Sequence, residues 1–272
     1  VCCGHSVGEY NALAAVSGII DLEDVVALVY HRGLSMHRLV PRDSSGASDY
    51  RLGAARPSEA GLDEAGFLDL VAQIAADGAF IQVVNFNLRG RQYAVAGTTA
   101  ALDRLAAELE ERRRLRNGKG VFVLVPGIDV PFHSDVLRDG VDDFRSKLDA
   151  ILPPRIDPAL LVGRYVPNLV PRLFTLDRGF VEEIVATVPS TALRDVLRDW
   201  SDWAQREPDL ARVILLELLA WQFASPVRWI ETQELLFDSG SGLGIDEFVE
   251  VGLGSQPTLT GLAKQTLQQR PA

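Results

Sequence analysis

Cysteine is almost absent from this chain, and the two that occur, Cys2 and Cys3, are neighbours. Adjacent strand residues point to opposite faces, so we do not expect this pair to form a structural disulfide, which indicates a reducing compartment. The chain also lacks an apolar run of the roughly 18–20 residues that span a bilayer, and it shows no signal peptide. The sequence therefore predicts a cytoplasmic protein with no membrane partner.

Positive charge is in short supply as well. The chain has 27 Lys and Arg against 37 Asp and Glu, a formal net charge of −10, which argues against nucleic acid as a partner. It shows no metal-ligand spacing of His and Cys and no dinucleotide-binding glycine fingerprint after a strand. We therefore expect no metal and no bound cofactor.

The rest of the composition is that of an ordinary globular protein, with 47% hydrophobic residues among 272. Alternating strand and helix patterns predict an α/β protein with a mostly parallel sheet. Within it, 51-126 has the order βαββαβ of a ferredoxin-like subdomain. The predicted domains are a core, 1-50 and 127-272, and this inserted subdomain. Because the chain starts at a strand, we expect N-terminal elements of the core to precede it in a longer polypeptide.

The stretch GHSVGEY carries the first chemical signal. Ser6 lies between Gly4 and Gly8, after a short apolar run and before an Ala-rich helix pattern that ends at Gly18. Strand, G-x-S-x-G and helix in this order are typical of a nucleophile elbow, where only small residues fit beside a strained serine. The alternative is a serine that only caps a helix. We predict that Ser6 is a nucleophile.

A helix predicted from Leu22 to about Val40 carries a charge on its apolar face, which is formed by Val25, Leu28, Val29, Met36 and Leu39. Arg32 falls in the middle of that face, with no acidic residue three or four positions away. An unpaired buried guanidinium would cost several kcal/mol. Its partner is therefore a carboxylate of another element or of a substrate, unless the side chain reaches the surface.

Histidine occurs only four times. His5 lies in the elbow, and His31 and His37 lie on the helix of Arg32. His133 lies between a loop and a predicted helix that starts at Ser134 or Asp135. If Ser6 needs an imidazole base, His133 is the one that a separate loop could position. The alternative is a histidine with a structural role.

The second half of the chain is predicted to be mostly helical. The patterns indicate strands at LLVGRYV and FVEVG, and helices near 178–188, 190–206 and 209–223, after SPVRW to about Phe237, and near 256–267.

Five segments in series carry a resemblance to a known family: GHSVGEYNALAAVSGII, HRGLSM, VNFNLRGRQYAVAG, IDVPFHSDVL and FVEVG. The chain resembles the malonyl-CoA:acyl-carrier-protein transacylases over nearly its whole length. Three further segments favour the malonyl/palmitoyl transferase domain of type I fatty acid synthases, of the actinobacterial or the fungal β-chain type: PRDSSGASDYRLGAARPS, GRYVPNLVPRLFTLDRGF and LLELLAWQFASPVRWIETQ.

The resemblance implies an α/β-hydrolase-like core and a ping-pong acyltransferase. It would move malonyl from CoA to acyl carrier protein, and long-chain product from carrier protein to CoA, through an acyl-serine. Ser6 would carry the acyl group, and His133 would take its proton and later activate the incoming thiol. The backbone N–H of Val7 would be one oxyanion donor. Arg32 would pair with the free malonyl carboxylate.

The family orients its histidine with a backbone carbonyl, which the resemblance places in the SPVRW segment. Asp129 and Asp135 would then be bystanders. Phe132, His5 and Asn87 are assigned to substrate binding by the same resemblance.

The implied substrates are malonyl-CoA and long-chain acyl-CoA, and the partner is an acyl carrier protein bearing phosphopantetheine. Other domains of the same synthase would surround the chain in a large homo-oligomer. The family's second oxyanion donor comes from a loop upstream of the elbow, so we expect the segment alone to be weakly active or inactive.

Two other interpretations stay open. A serine hydrolase or thioesterase would share the G-x-S-x-G motif, and Asp77-Gly78-Ala79 matches the string that supplies the acid in patatins. That string ends a helix of the inserted subdomain, however, and His133 comes early for an α/β-hydrolase. The second alternative is a catalytically incomplete structural segment of a megasynthase.

Overall fold

A computed structural model of the protein describes residues 1–116, 120–252 and 258–270. The strands in chain order are β1 (Cys2–Cys3), β2 (Tyr50–Ala55), β3 (Ile81–Leu88), β4 (Gln92–Thr98), β5 (Phe122–Leu124) and β6 (Tyr165–Val166). The α-helices are α1 (Gly8–Ser17), α2 (Leu22–Leu39), α3 (Glu64–Ala76), α4 (Thr99–Arg114), α5 (Val141–Ile151), α6 (Arg178–Thr187), α7 (Thr191–Arg198), α8 (Trp200–Trp203), α9 (Glu207–Gln222), α10 (Trp229–Phe237) and α11 (Leu259–Gln269). Short 3₁₀ helices cover Pro57–Ala60, Asp135–Gly140 and Pro158–Leu160.

The chain divides into two compact units. Unit 1 is formed by Val1–Gly46 and Phe132–Val227, and unit 2 by Ala47–Pro131 and Arg228–Ala272.

Unit 1 is built around α9. From 214 to 222 every residue of this helix is buried, glutamate and glutamine included, so it lies in the core rather than on one side of it. Helices α5 and α7 pack against α9. Phe144 of α5 stacks on Phe223 and meets the ring of Tyr10 edge to face, with centroids 5.0 and 6.2 Å apart. These apolar contacts fix α1 and α5 close to the C-terminal end of α9.

The first elements of unit 1 follow the sequence closely. α1 ends at Gly18, whose φ of 64° suits glycine at a helix C-terminus. α2 ends at Leu39, two residues before Pro41, which cannot continue a helix. β1 pairs in parallel with β6, with Cys2 opposite Tyr165 and Cys3 opposite Val166. Among the described residues, β1 and β6 form the parallel strand pair of unit 1.

Unit 2 contains an antiparallel sheet of order β3-β4-β2-β5, and α3 and α4 pack on it. Both helices begin at a side-chain cap, because Asp63 accepts from the N–H of Gly66 and Thr98 from that of Ala101. The core between helices and sheet includes Phe67, Leu102 and Tyr93. The predicted βαββαβ order of a ferredoxin-like subdomain is therefore present.

Three predicted elements differ from the structure. FVEVG is not a strand: Val249 and Val251 are exposed, and Glu250 instead caps α11 by accepting from the N–H groups of 258–260. The helix expected over 190–206 is divided into α7 and α8, because the backbone leaves the helical region at Asp199 (φ −106°, ψ 36°). LLVGRYV contributes strand only at its last two residues. The start predicted for the last helix, at Gln256, lies outside the described residues.

The grouping of 228–272 with unit 2 also differs from the predicted domain boundaries, which placed 127-272 in the core. α10 and α11 pack on β3. The side-chain amide of Gln233 donates to the carbonyl of Asn87 at 2.9 Å, and Arg89 pairs with Glu234 at 2.9 Å. These contacts join the C-terminal helices to the antiparallel sheet.

The described helices include none that is long and apolar enough to cross a membrane. In the same part of the chain, no three His, Cys, Asp or Glu residues are grouped so that they could hold a metal ion.

Candidate active site

The turn between β1 and α1 places Ser6 in an unusual backbone conformation. Its φ is 54°, a value that residues other than glycine rarely adopt. A Cβ atom added at Gly4 would lie 2.1 Å from the carbonyl carbon and oxygen of Gly8, whereas one at Gly8 would meet no heavy atom within 4 Å. The close approach that the motif predicted therefore depends on Gly4 alone.

Asn168, two residues after β6, braces this turn. Its Oδ1 accepts from the backbone N–H of Ser6 at 2.9 Å, and its Nδ2 donates to the carbonyl of Gly4. Because β6 pairs with β1, the amide reaches both backbone groups from the neighbouring strand. These two bonds stabilise the strained conformation of Ser6.

His133 meets Ser6 from the start of the 3₁₀ turn before α5. Its Nε2 lies 2.6 Å from Ser6 Oγ, and its Nδ1 lies 3.1 and 3.2 Å from the carbonyl oxygens of Gln222 and Ser225. Carbonyl oxygens only accept, so Nδ1 carries the proton and Nε2 is left as an acceptor for the hydroxyl of Ser6. The carbonyl of Ser225 belongs to SPVRW, the segment that the family resemblance implied; that of Gln222 is additional.

The environment of His133 keeps its imidazole neutral. The side chain is buried, and burial together with the positive charge of Arg32 lowers the pKa of His133 to about 3. His5 acts in the same direction, while the two carbonyls oppose it. At neutral pH the imidazole can therefore accept a proton.

Arg32 is buried on α2, with only 6% of its surface exposed, so its side chain does not extend to the protein surface. One guanidinium nitrogen donates to Oε1 of Gln222 at 3.0 Å, and the group lies 5.8 Å from the centroid of the Tyr10 ring. Its Nε is buried without a hydrogen-bond partner in the described part of the chain, where the guanidinium also forms no ion pair with a carboxylate. Arg32 therefore retains unused capacity to bind an anion.

Glu9 is a buried carboxyl group that is linked to Arg32 indirectly, through Gln222. Its carboxylate accepts from the hydroxyl of Tyr165, from the N–H of Asn168 at 3.0 Å and from Nε2 of Gln222 at 2.8 Å. Burial raises the pKa of Glu9 to about 7. Gln222 therefore stands between the two charges, because its amide oxygen faces Arg32 and its amide nitrogen faces Glu9.

The other predicted site residues are placed as follows. Val7 is the residue before α1. Phe132, which precedes His133 in the chain, is half-buried, and so is His5, which lies close enough to His133 to affect its pKa. Asn87 is described in unit 2, half-buried on β3. The roles predicted for these residues stay predictions.

Asp135, predicted to be a bystander, and Asp77, the acid of the patatin-like alternative, have partners other than His133. Asp135 pairs with Arg138 at 2.8 Å, and Asp77, the residue after α3 in unit 2, pairs with Arg104. The groups at Nδ1 of His133 are main-chain carbonyls. The site thus contains a serine, an imidazole and a buried arginine.

Comparison with known proteins finds both sequence relatives and similar structures. The chain is 39% identical to fatty acid synthase 2 of Mycosarcoma maydis over 306 residues, which include 98% of the chain. It is 39% identical to the fatty acid synthase beta subunit TOXC of Cochliobolus carbonum over 72% of the chain. FabD of Acinetobacter baumannii superposes with a TM-score of 0.67 at 24% identity, covering 97% of this chain and 64% of that one. An acyl carrier protein S-malonyltransferase of Vibrio cholerae gives 0.65 at 25% identity, covering 98% and 66%.

The chain has the fold of the malonyl-CoA:acyl-carrier-protein transacylases and is similar in sequence to fungal fatty acid synthases. No protein-family model matches it. The chain spans 8% and 11% of the length of the two synthases.

Three residues of the site were not predicted from the sequence. Glu9, Asn168 and Gln222 form a buried polar group with Ser6 and Arg32. Glu9 lies inside GHSVGEY, and Gln222 is the polar residue that follows the apolar run of α9. A charged or amide residue within an apolar pattern was the available signal.

Proposed function

We propose that this protein is an acyltransferase that moves malonyl groups from CoA to the phosphopantetheine thiol of an acyl carrier protein through an ester on Ser6. The observation that carries the proposal is the joint placement of Ser6, His133 and Arg32. A serine hydroxyl that is hydrogen-bonded to a neutral imidazole can attack an acyl group and form an ester with it. A buried arginine with an unpaired Nε selects an acyl group that ends in a carboxylate.

In the first half of the reaction, Ser6 Oγ attacks the thioester carbonyl carbon while His133 Nε2 takes the hydroxyl proton. The backbone N–H of Val7 faces the developing oxyanion. The carbon–sulfur bond breaks, CoA leaves as a thiolate, and the imidazolium returns the proton to its sulfur. The malonyl group is then an ester of Ser6.

The second half reverses these steps with another thiol. His133 takes the proton of the carrier protein's thiol, whose sulfur attacks the ester carbon. The bond to Ser6 Oγ breaks, and the proton returns to that oxygen. No net proton is gained or lost.

Malonyl binding itself would assist the base. The positive charge of Arg32 is one cause of the low pKa of His133. A malonyl carboxylate paired with Arg32 would offset that charge and raise the pKa of His133. The substrate that needs the base would thus make the base stronger.

The test is transfer of labelled malonyl from malonyl-CoA to a phosphopantetheinylated carrier protein by the protein in its natural length, with Ser6→Ala and Arg32→Ala beside it. We expect Ser6→Ala to form no labelled ester. We expect Arg32→Ala to lower kcat/KM for malonyl-CoA by about 10–150-fold, the equivalent of a charged hydrogen bond of ~1.5–3 kcal/mol. Arg38→Ala, an exposed arginine on the same helix, is the matched control and should behave like the wild type.

Palmitoyl-CoA serves as the second donor, because the predicted long-chain activity requires an acyl group with no carboxylate. Transfer from palmitoyl-CoA should survive in Arg32→Ala. Label released mainly to water would favour a hydrolase. Malonyl transfer indifferent to Arg32 would remove the proposed role of the arginine.

A further inference from the structure

The buried side chains of Glu9, Gln222 and Arg32 form a directed chain of hydrogen bonds. Glu9 is 1% exposed and Gln222 is 1% exposed, so neither exchanges its partners with water. The amide nitrogen of Gln222 donates both to Glu9 Oε2 at 2.8 Å and to the carbonyl of Ser6 at 2.7 Å. Both of these groups only accept when Glu9 is ionised.

This pattern fixes which way the amide of Gln222 points. Its nitrogen must face the two acceptors, so its oxygen must face Arg32, a group that only donates. The hydroxyl of Tyr10, which donates to the carbonyl of Leu219 at 2.9 Å, lies 3.4 Å from the same amide oxygen. A rotated amide would place nitrogen against guanidinium and oxygen against the carbonyl of Ser6.

We propose that Glu9 is a positioning residue for substrate selection: through Gln222 it holds the guanidinium of Arg32 in the orientation that binds the free carboxylate of a dicarboxylic acyl group. This inference rests on the proposed function. It adds that selection of the charged acyl group depends on a carboxylate that itself does not touch the substrate.

Replacement of Glu9 by glutamine conserves size and removes acceptor capacity. In Glu9→Gln, an amide nitrogen in the position of Oε2 would meet the amide nitrogen of Gln222, donor against donor. Rotating the introduced amide moves the conflict to the N–H of Asn168, which now bonds Oε1 at 3.0 Å. Rotating the amide of Gln222 moves it to Arg32 and Ser6. Every arrangement leaves at least one buried donor without an acceptor, which costs about as much as a lost hydrogen bond.

The readout is a ratio within each preparation: kcat/KM for malonyl-CoA divided by kcat/KM for palmitoyl-CoA, with carrier protein as the acceptor. A merely structural defect lowers the active fraction, which cancels in this ratio. We expect Glu9→Gln to lower the ratio about tenfold, with the larger part of the change in KM for malonyl-CoA, because the guanidinium loses its fixed orientation. Tyr165→Phe is the matched control, because it removes another donor to Glu9 and leaves the carboxylate and Gln222 in contact. Its ratio should equal that of the wild type.

Gln222→Met tests the same chain if Glu9→Gln does not fold. It retains the charge of Glu9 and the backbone carbonyl at His133 but cuts the link to Arg32, so the ratio should fall by a similar factor. The double variant should be no worse than either single variant, since both interrupt one chain.

The outcomes separate this inference from the proposed function. A ratio that falls in Arg32→Ala but stays at the wild-type value in Glu9→Gln or Gln222→Met would overturn the role of Glu9 and leave the proposed function standing. A ratio unchanged in Arg32→Ala would overturn both, because there would be no carboxylate selection to position. An equal fall in Tyr165→Phe and Glu9→Gln would show that general loosening of the core is responsible, and would also overturn the inference.

Discussion

The two glycines of the GHSVG turn provide a prediction in which one motif supplies both the test and its control. A Cβ at Gly4 would lie 2.1 Å from backbone atoms of Gly8 and 2.3 Å from the backbone nitrogen of Glu9. Backbone atoms cannot rotate away as a side chain can, so β1 and α1 must separate. Overpacking of this kind costs ~1–3 kcal/mol or more, and we expect Gly4→Ala to reach the upper end.

Gly8 has none of these neighbours and starts α1 with a φ outside the left-handed region. Alanine is a better helix former than glycine by ~0.5–1 kcal/mol, so Gly8→Ala should be neutral or stabilising. At ~2–4 °C per kcal/mol for a chain of this size, a loss of about 3 kcal/mol at Gly4 lowers Tm by roughly 6–12 °C.

Thermal unfolding of both variants followed by circular dichroism measures the difference. Because displacing the turn also moves Ser6 Oγ away from His133, esterification of Ser6 by malonyl-CoA should fall in Gly4→Ala. Equal melting temperatures for Gly4→Ala and Gly8→Ala would refute the argument that strand and helix approach each other at Gly4.

Further predictions concern stability. Glu217 is buried and pairs with Arg145 at 2.6 Å, so Glu217→Ala should lower the free energy of unfolding by ~3–5 kcal/mol. Asp142→Ala removes the exposed partner of the same arginine and should lower it by less than ~1 kcal/mol. Urea unfolding of the two variants measures the difference. Folding lowers the pKa of His133 from 6.5 to about 3, so its contribution to stability is full above pH 6.5 and is lost as the pH falls towards 3. The free energy of unfolding of the wild type should therefore fall relative to that of His133→Asn as the pH drops from 6.5 to 3. Folding raises the pKa of Glu9 from 4.5 to about 7, so the stability that Glu9 contributes is full below pH 4.5 and is lost as the pH rises to 7. The free energy of unfolding of the wild type should therefore fall relative to that of Glu9→Gln over this range.

Local patterns were enough to predict much of the fold. α1 with its end at Gly18, α2 with its end before Pro41, and the βαββαβ order of unit 2 all depend on periodicity, caps and turn residues close in sequence. FVEVG shows the limit of such patterns. Alternation predicts a strand, but a strand also needs an edge to pair with, and Glu250 bonds the start of α11 instead.

The candidate site was predictable where a motif names a residue. Ser6 and Arg32 stand out because a small-residue turn and a charge on an apolar face are visible in the letters. The network around them was not, because its bonds join positions far apart: Asn168 reaches Ser6 across 162 residues and Gln222 reaches Glu9 across 213. Only the folded chain brings these groups within 3 Å, so sequence spacing carries no trace of the pairing.

The orientation of His133 has a consequence for how such a site tolerates change. Both groups that hold its Nδ1 proton are peptide oxygens, and every residue type carries one. In a triad with an aspartate, one substitution removes the orienting group and the tautomer with it. Here no single replacement at 222 or 225 can delete the acceptor. The direction in which the imidazole points is therefore a property of the path of the main chain after α9, robust to point mutation and sensitive only to changes that move that path.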